Sequence, residues 1–207
     1  MANTDDLRFV RTEAAIRSAF MELVGERPVD SITASEVCRR AGISRNAFYL
    51  HHSGVAELYA AMVDELLSDI RAACVASAER VAASGELDEE LVPSGFTVLA
   101  RHEGLLRALL PSDDGTLAKR LADGIADAYV DAALVLSEQG GSLEHRLRCA
   151  FSAWAFLGIL QQWFELTDEQ ISDLLPYVSD FNAGIQAGAT RFLTGGGATP
   201  SLEPFGL

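Results

Sequence analysis

Arg45 and Asn46 have side chains suited to reading base pairs. A guanidinium bonds guanine O6 and N7 together, and a carboxamide does the same for adenine N6 and N7. Ala47 follows them in what reads as the first turn of a helix. Ser44 and Thr33 carry hydroxyls suited to helix N-caps, and a helix N-terminus favours an anion such as phosphate. Arg39 and Arg40 are further cations within reach of a phosphate backbone.

These residues need a scaffold, and Ile32–Leu58 (ITASEVCRRAGISRNAFYLHHSGVAEL) supplies one. Thr33 and Glu36 have the spacing of a capping box. Val37 and Ala41 share one face of the helix that follows. Gly42 suits a left-handed C′ position, where a Cβ is costly. Ser44 restarts the chain as the N-cap of a second helix, on which Phe48 turns inward toward Val37 and Ile43. This is the grammar of a helix-turn-helix, whose second helix points its N-terminal residues at base edges in the major groove. Residues 5–25 form a preceding helix, with Ile16, Phe20, Leu23 and Val24 on one buried stripe.

The pattern T-x-x-E-V-x-x-x-A-G-I-S-x-x-x-F-Y-x-H, followed by E-L, resembles the DNA-binding domain of the TetR family of transcriptional regulators. The likeness runs from about Arg8 to about Leu67. It implies phosphate contacts from Tyr49 and His51, and from Arg8 or Arg11 at the start of the first helix. The expected DNA-facing set is thus Thr33, Ser44, Arg45, Asn46, Ala47, Tyr49 and His51. Two positions depart from the family pattern. His52 stands where most members place Phe, and Val55 where most place a Lys that anchors phosphate.

Beyond the head, the periodicity predicts helices at about 55–83, 87–101 (interrupted by Pro93), 102–110, 116–138, 143–165 and 168–192. The fold class expected is all-α with about nine helices. The organisation expected is a helix-turn-helix domain over 1–53, a helical effector-binding and dimerisation domain over 54–193, and a disordered tail over 194–207. The 143–165 stretch is apolar nearly all round and reads as buried on several sides. By resemblance, the last two long helices pair with those of a second subunit, through Gly158, Phe181, Gly184, Ile185 and Gly188. By the same resemblance the body encloses an effector pocket, with Met62, Leu66, Phe96, Leu99, His102, Leu106, Tyr129, Phe151 and Trp154 as candidate lining. Their apolar bias points to an apolar or aromatic effector, with His102 as a polar contact.

Composition narrows the function classes. The chain of 207 residues carries 49% hydrophobic residues and a formal charge of −14. Residues 1–52 hold seven arginines (Arg8, Arg11, Arg17, Arg27, Arg39, Arg40, Arg45) and seven carboxylates (Asp5, Asp6, Glu13, Glu22, Glu26, Asp30, Glu36). All the excess negative charge therefore lies beyond the head, and phosphate repels the body. Cys38, Cys74 and Cys149 are too few and scattered for a disulfide framework or zinc site and read as core thiols. A thiol-responsive switch at Cys38 is the alternative. No phosphate loop, G-x-S-x-G, H-E-x-x-H or C-x-x-C motif is present, so no enzyme, metal or cofactor is expected. No apolar run is long enough to span a membrane, and the N-terminus lacks a secretory stretch, so the expected location is cytoplasmic.

The expected function is a homodimeric regulator on a palindromic double-stranded DNA operator, most simply a repressor released by a small-molecule effector. The alternative is a degenerate TetR-like dimer serving as a ligand-binding or protein-interaction module with weak DNA binding.

Overall fold

The computed structural model describes residues 4–84, 98, 101–110 and 115–165. The expected helix over 168–192 and tail over 194–207 lie outside them, as does most of the segment 87–101. The described residues are all-α, with seven α-helices and no strand among them. The described residues through Phe164 belong to one compact unit.

Three helices build the head. α1 (Thr4–Glu26) buries Ile16, Ala19, Phe20, Leu23 and Val24, the period of one helical stripe. α2 (Ala34–Ala41) packs across it and buries Val37 and Cys38. The capping box at its start forms: Glu36 Oε2 accepts the Thr33 N–H at 3.0 Å and the Thr33 hydroxyl at 2.7 Å. Arg27 Nη2 holds the other Glu36 oxygen at 2.8 Å. Gly42 ends α2 at φ 67°, ψ 31°, where an L side chain is strained. α3 (Arg45–Tyr49) is a short helix that buries Phe48 completely.

α4 (Val55–Ser84) leaves the head and runs into the body. Its first buried residue, Leu58, belongs to the same apolar cluster as Phe20, Val37 and Phe48. α5 (Glu103–Leu109) packs against α1, a second link between head and body. α6 (Thr116–Leu136) lies along α4 over much of its length. The pairs Asp64–Arg120 and Arg71–Asp131 show that these two helices run in the same direction. Gly124 permits their close approach, since a Cβ there would stand 2.5 Å from the Leu67 side chain.

After a 3-10 turn over Glu138–Gly141, α7 spans Leu143–Glu165. One side of α7 buries Cys149, Ala153 and Leu157, with Phe156, Leu160 and Phe164 packed beside them. The other side is not covered. Leu143, Leu147, Phe151 and Trp154 are 75%, 63%, 77% and 49% exposed, and Gly158 continues the row. The expectation that this stretch is buried on several sides therefore needs correcting for the single chain. Residues 143, 147, 151, 154 and 158 follow helical spacing, so the uncovered side is one continuous apolar stripe.

Candidate nucleic-acid interface

α3 has two faces of opposite chemistry. Phe48 anchors its inner face in the head core, while Arg45, Asn46, Tyr49 and Leu50 are exposed and Ala47 is half-buried. The orientation follows from the N-cap, where Ser44 Oγ accepts the Ala47 N–H at 3.1 Å. Thr33 and Ser44 are both exposed at helix starts. The Arg45 guanidinium donates to Ser35 Oγ on α2, which draws it toward the neighbouring helix.

The charge balance of the head is unevenly spent. Glu13 is bound by Arg17, Glu22 and Glu26 by Arg40, and Glu36 by Arg27. Those arginines are held by carboxylates of their own segment. Arg8, Arg11 and Arg39 are exposed and enter no ion pair among the described residues. Arg8 and Arg11 line a shallow open groove with Leu7, Thr12, Ala15 and Ile43. Ile43 lies in the turn into α3, so two cations of α1 flank the approach to the recognition helix. A head that sums to zero thus presents unpaired positive charge beside α3, as contact with phosphate requires.

Residues 16–62 match the family model described as bacterial regulatory proteins, tetR family. The helix-turn-helix of this chain is similar to that of the tetR family. The chain is also 31% identical over 103 residues to an uncharacterized HTH-type transcriptional regulator of Haemophilus influenzae. That match covers 50% of this chain and 50% of the relative, so the chain spans about half the length of the relative it matches. No solved structure matches the chain.

Within this TetR-type head, His51 stands apart from the other residues expected to face DNA. Its ring is turned inward, with the side chain 4% exposed. Nδ1 lies 3.0 Å from Glu13 Oε2, and Phe9 stacks on the ring with centroids 3.8 Å apart. The contact crosses from α1 to the end of α3 and has no local sequence pattern. His52, also buried, shares the same carboxylate oxygen at 3.0 Å. Burial raises the Glu13 carboxyl, but the Arg17 hydrogen bond and the His52 charge outweigh it and hold the group below its ordinary value. Val55 is partly buried against the core. The start of α4 is instead closed by Glu57, whose carboxylate accepts the Ser53 N–H at 2.5 Å.

The residues assigned to an effector pocket separate into groups. Met62, Leu66 and Leu106 are buried in one cluster, with Tyr129 packed against it. Burial pushes the Tyr129 hydroxyl well above its ordinary value, and the nearby thiols of Cys74 and Cys149 add to the shift. His102 is half-buried and meets Asp69 Oδ2 at 3.0 Å. Phe151 and Trp154 do not line the interior; they lie on the exposed stripe of α7, a correction to the sequence expectation. An apolar residue on a helix that is apolar all round carries no mark of which side it faces. Phe96 and Leu99 lie outside the described residues. So do Phe181, Gly184, Ile185 and Gly188 of the expected dimer contact. Gly158 is exposed, with open space where a Cβ would stand.

All three cysteines are free and buried. Desolvation raises the thiols of Cys38 and Cys149, and burial pushes Cys74 up to about 11. Since the thiolate is the reactive form, these positions suit packing better than redox sensing.

Proposed function

We propose that this protein is a transcription regulator that reads an operator in double-stranded DNA through α3, and that it acts as a homodimer. The observation that carries the reading is the outward face of α3. Arg45 and Asn46 project from a helix capped by Ser44, with Arg8 and Arg11 beside the turn that precedes it. Arg45 and Asn46 meet base edges; Thr33, Ser44, Tyr49, Arg8 and Arg11 meet phosphate. His51 reaches phosphate only if its ring leaves Glu13.

The exposed stripe of α7 supports the dimer. An apolar surface of this length on one helix fits a matching surface on a second copy. Two copies place their recognition helices about 34–36 Å apart, on a palindromic site. The protein is a repressor in the cytoplasm, and an apolar or aromatic effector seated beside Met62, Leu66, Leu106 and Tyr129 releases it. The effector works by binding the DNA-incompetent arrangement better than the competent one. No described helix is long and apolar enough to cross a membrane.

A mobility-shift assay on duplexes selected from a random pool tests the reading. Specific binding that Arg45→Ala relaxes at one base pair supports it. A second reading, a dimer that binds ligand or protein and only weakly DNA, is favoured by Val55 and by the inward ring of His51. The absence of a specific band at micromolar protein would select that second reading.

A further inference from the structure

Arg45 differs from Arg17, Arg27 and Arg40 in the kind of group that holds it. Arg17 is bound by Glu13 and Glu65, Arg27 by Glu36, and Arg40 by Glu22 and Glu26. Arg45 enters no ion pair among the described residues; its Nη2 donates instead to the Ser35 hydroxyl on α2. Glu36, the acid next to Ser35 in sequence, is taken by Thr33 and Arg27. Ser35 and Cys38 stand three apart on α2 and so share a face. Burial raises the Cys38 thiol and the charge of Arg45 works against that rise, so the guanidinium lies along the same face. The backbone beneath it is fixed. The Ile43 N–H bonds the Cys38 carbonyl at 3.0 Å around Gly42, Ser44 caps α3, and Phe48 is fully buried.

We propose that Ser35 is a positioning residue for base reading: its hydroxyl holds the Arg45 guanidinium in the orientation from which it bonds a guanine edge. The inference rests on the DNA-reading role proposed above. A fixed backbone leaves the long side chain of Arg45 as the loose part of the reader. An exposed arginine samples many rotamers, and ordering it opposes binding to a base. A hydroxyl that narrows those rotamers beforehand reduces that cost. The guanidinium carries more N–H donors than a guanine edge accepts, so the bond to Ser35 and the bonds to the base are held together.

The neutrality of Ser35 matters as much as its place. A carboxylate there would bind Arg45 by a charge-assisted bond about twice as strong, cancel its charge and compete with the base. A hydroxyl steers the guanidinium and leaves it cationic. The arginines tied to carboxylates brace the head, and the one tied to a hydroxyl is left to read.

Duplexes selected from a random pool test the link. Affinity for the selected duplex is compared with affinity for duplexes changed one base pair at a time. The proteins compared are the wild type, Ser35→Ala, Ser35→Thr, Arg45→Ala and the double variant of Ser35→Ala with Arg45→Ala. Arg45→Ala identifies the pair that Arg45 reads. Ser35→Ala lowers discrimination at that pair about threefold to tenfold and leaves the other pairs within about twofold. Ser35→Thr keeps a hydroxyl and stays near the wild type. In the Arg45→Ala background, Ser35→Ala changes discrimination less than about twofold, because the two residues act as a unit. Thermal unfolding of Ser35→Ala matches the wild type, since alanine suits a helix at least as well as serine. In the free protein, nuclear magnetic resonance finds the Arg45 Nε–H ordered in the wild type and in Ser35→Thr, and mobile in Ser35→Ala. Equal weakening of every duplex by Ser35→Ala would make Ser35 a phosphate contact and overturn the role while DNA reading stands. Unchanged discrimination in Ser35→Ala, or a loss in Ser35→Thr equal to that in Ser35→Ala, overturns it in the same way. If Ser35 orders Arg45 in the free protein and yet no duplex is enriched, or Arg45→Ala relaxes no pair, reading by Arg45 fails and the role of Ser35 falls with it.

Discussion

α3 and α7 turn opposite chemistries outward. α3 hides its large apolar residue, Phe48, and shows Arg45, Asn46 and Tyr49; α7 shows Leu143, Leu147, Phe151 and Trp154. The two surfaces gain from a partner for different reasons. A polar, cation-flanked helix end is well solvated alone and gains most from a patterned array of acceptors and phosphates. A continuous apolar stripe gains most from exclusion of water, and a second copy of the same stripe provides that. The outward side chains of a helix therefore indicate its class of partner, while the inward ones indicate only how it is held.

The sharpest way to break the contrast is to remove the anchor of α3. Phe48→Ala should destabilise the head by about 3–5 kcal/mol, read by denaturant unfolding, because the ring is fully buried between α1 and α2. An outward substitution on the same helix, Asn46→Ala, should leave unfolding unchanged. On α7 the order reverses. Phe151→Glu should weaken self-association by about 2–4 kcal/mol, read by sedimentation, with little loss of helix content. Arg45→Ala comes next. It should cost about 1–3 kcal/mol at one base pair, with the dimer intact.

Smaller effects probe the local devices of the head. Gly42→Ala should cost about 1–2 kcal/mol in thermal unfolding, because φ 67° strains any L side chain. The smallest effect is acid loosening at α2. The Glu36 carboxyl is lowered from 4.5 to about 2 by the Thr33 hydroxyl first, then by Arg27. A depressed carboxylate stabilises the fold above its ordinary value and loses that contribution as pH falls toward about 2. Glu36→Gln should therefore lower stability modestly at neutral pH and remove the matching part of the acid sensitivity between pH 4.5 and about 2.

The two regions were also unequally legible in the sequence. The turn between α2 and α3 is written in residues close together: the Thr33–Glu36 box, Gly42 and the Ser44 cap all act within a few positions. Such devices can be read without knowing the fold. The inward turn of His51 depends on Glu13, a contact across the head that no local spacing announces. Arg40 shows the same limit, since its commitment to Glu22 and Glu26 joins α2 to α1. In α7 the difficulty is of another kind. Ala153, Leu157, Phe151 and Trp154 are all apolar, so periodicity alone does not tell the buried side from the side left open. The all-α class was legible because helix periodicity persists along the described chain, whereas pocket residues depend on how distant helices converge.

The account stands on α3 and the α7 stripe working together, with one duplex holding two chains. Selection of duplexes from a random pool, followed by sedimentation of the protein–DNA complex, measures this directly. The account predicts enrichment of a near-palindrome whose half-sites lie about 34–36 Å apart, bound by two copies of the chain. A pool that never enriches, or a non-symmetric site occupied by a single chain, would contradict it.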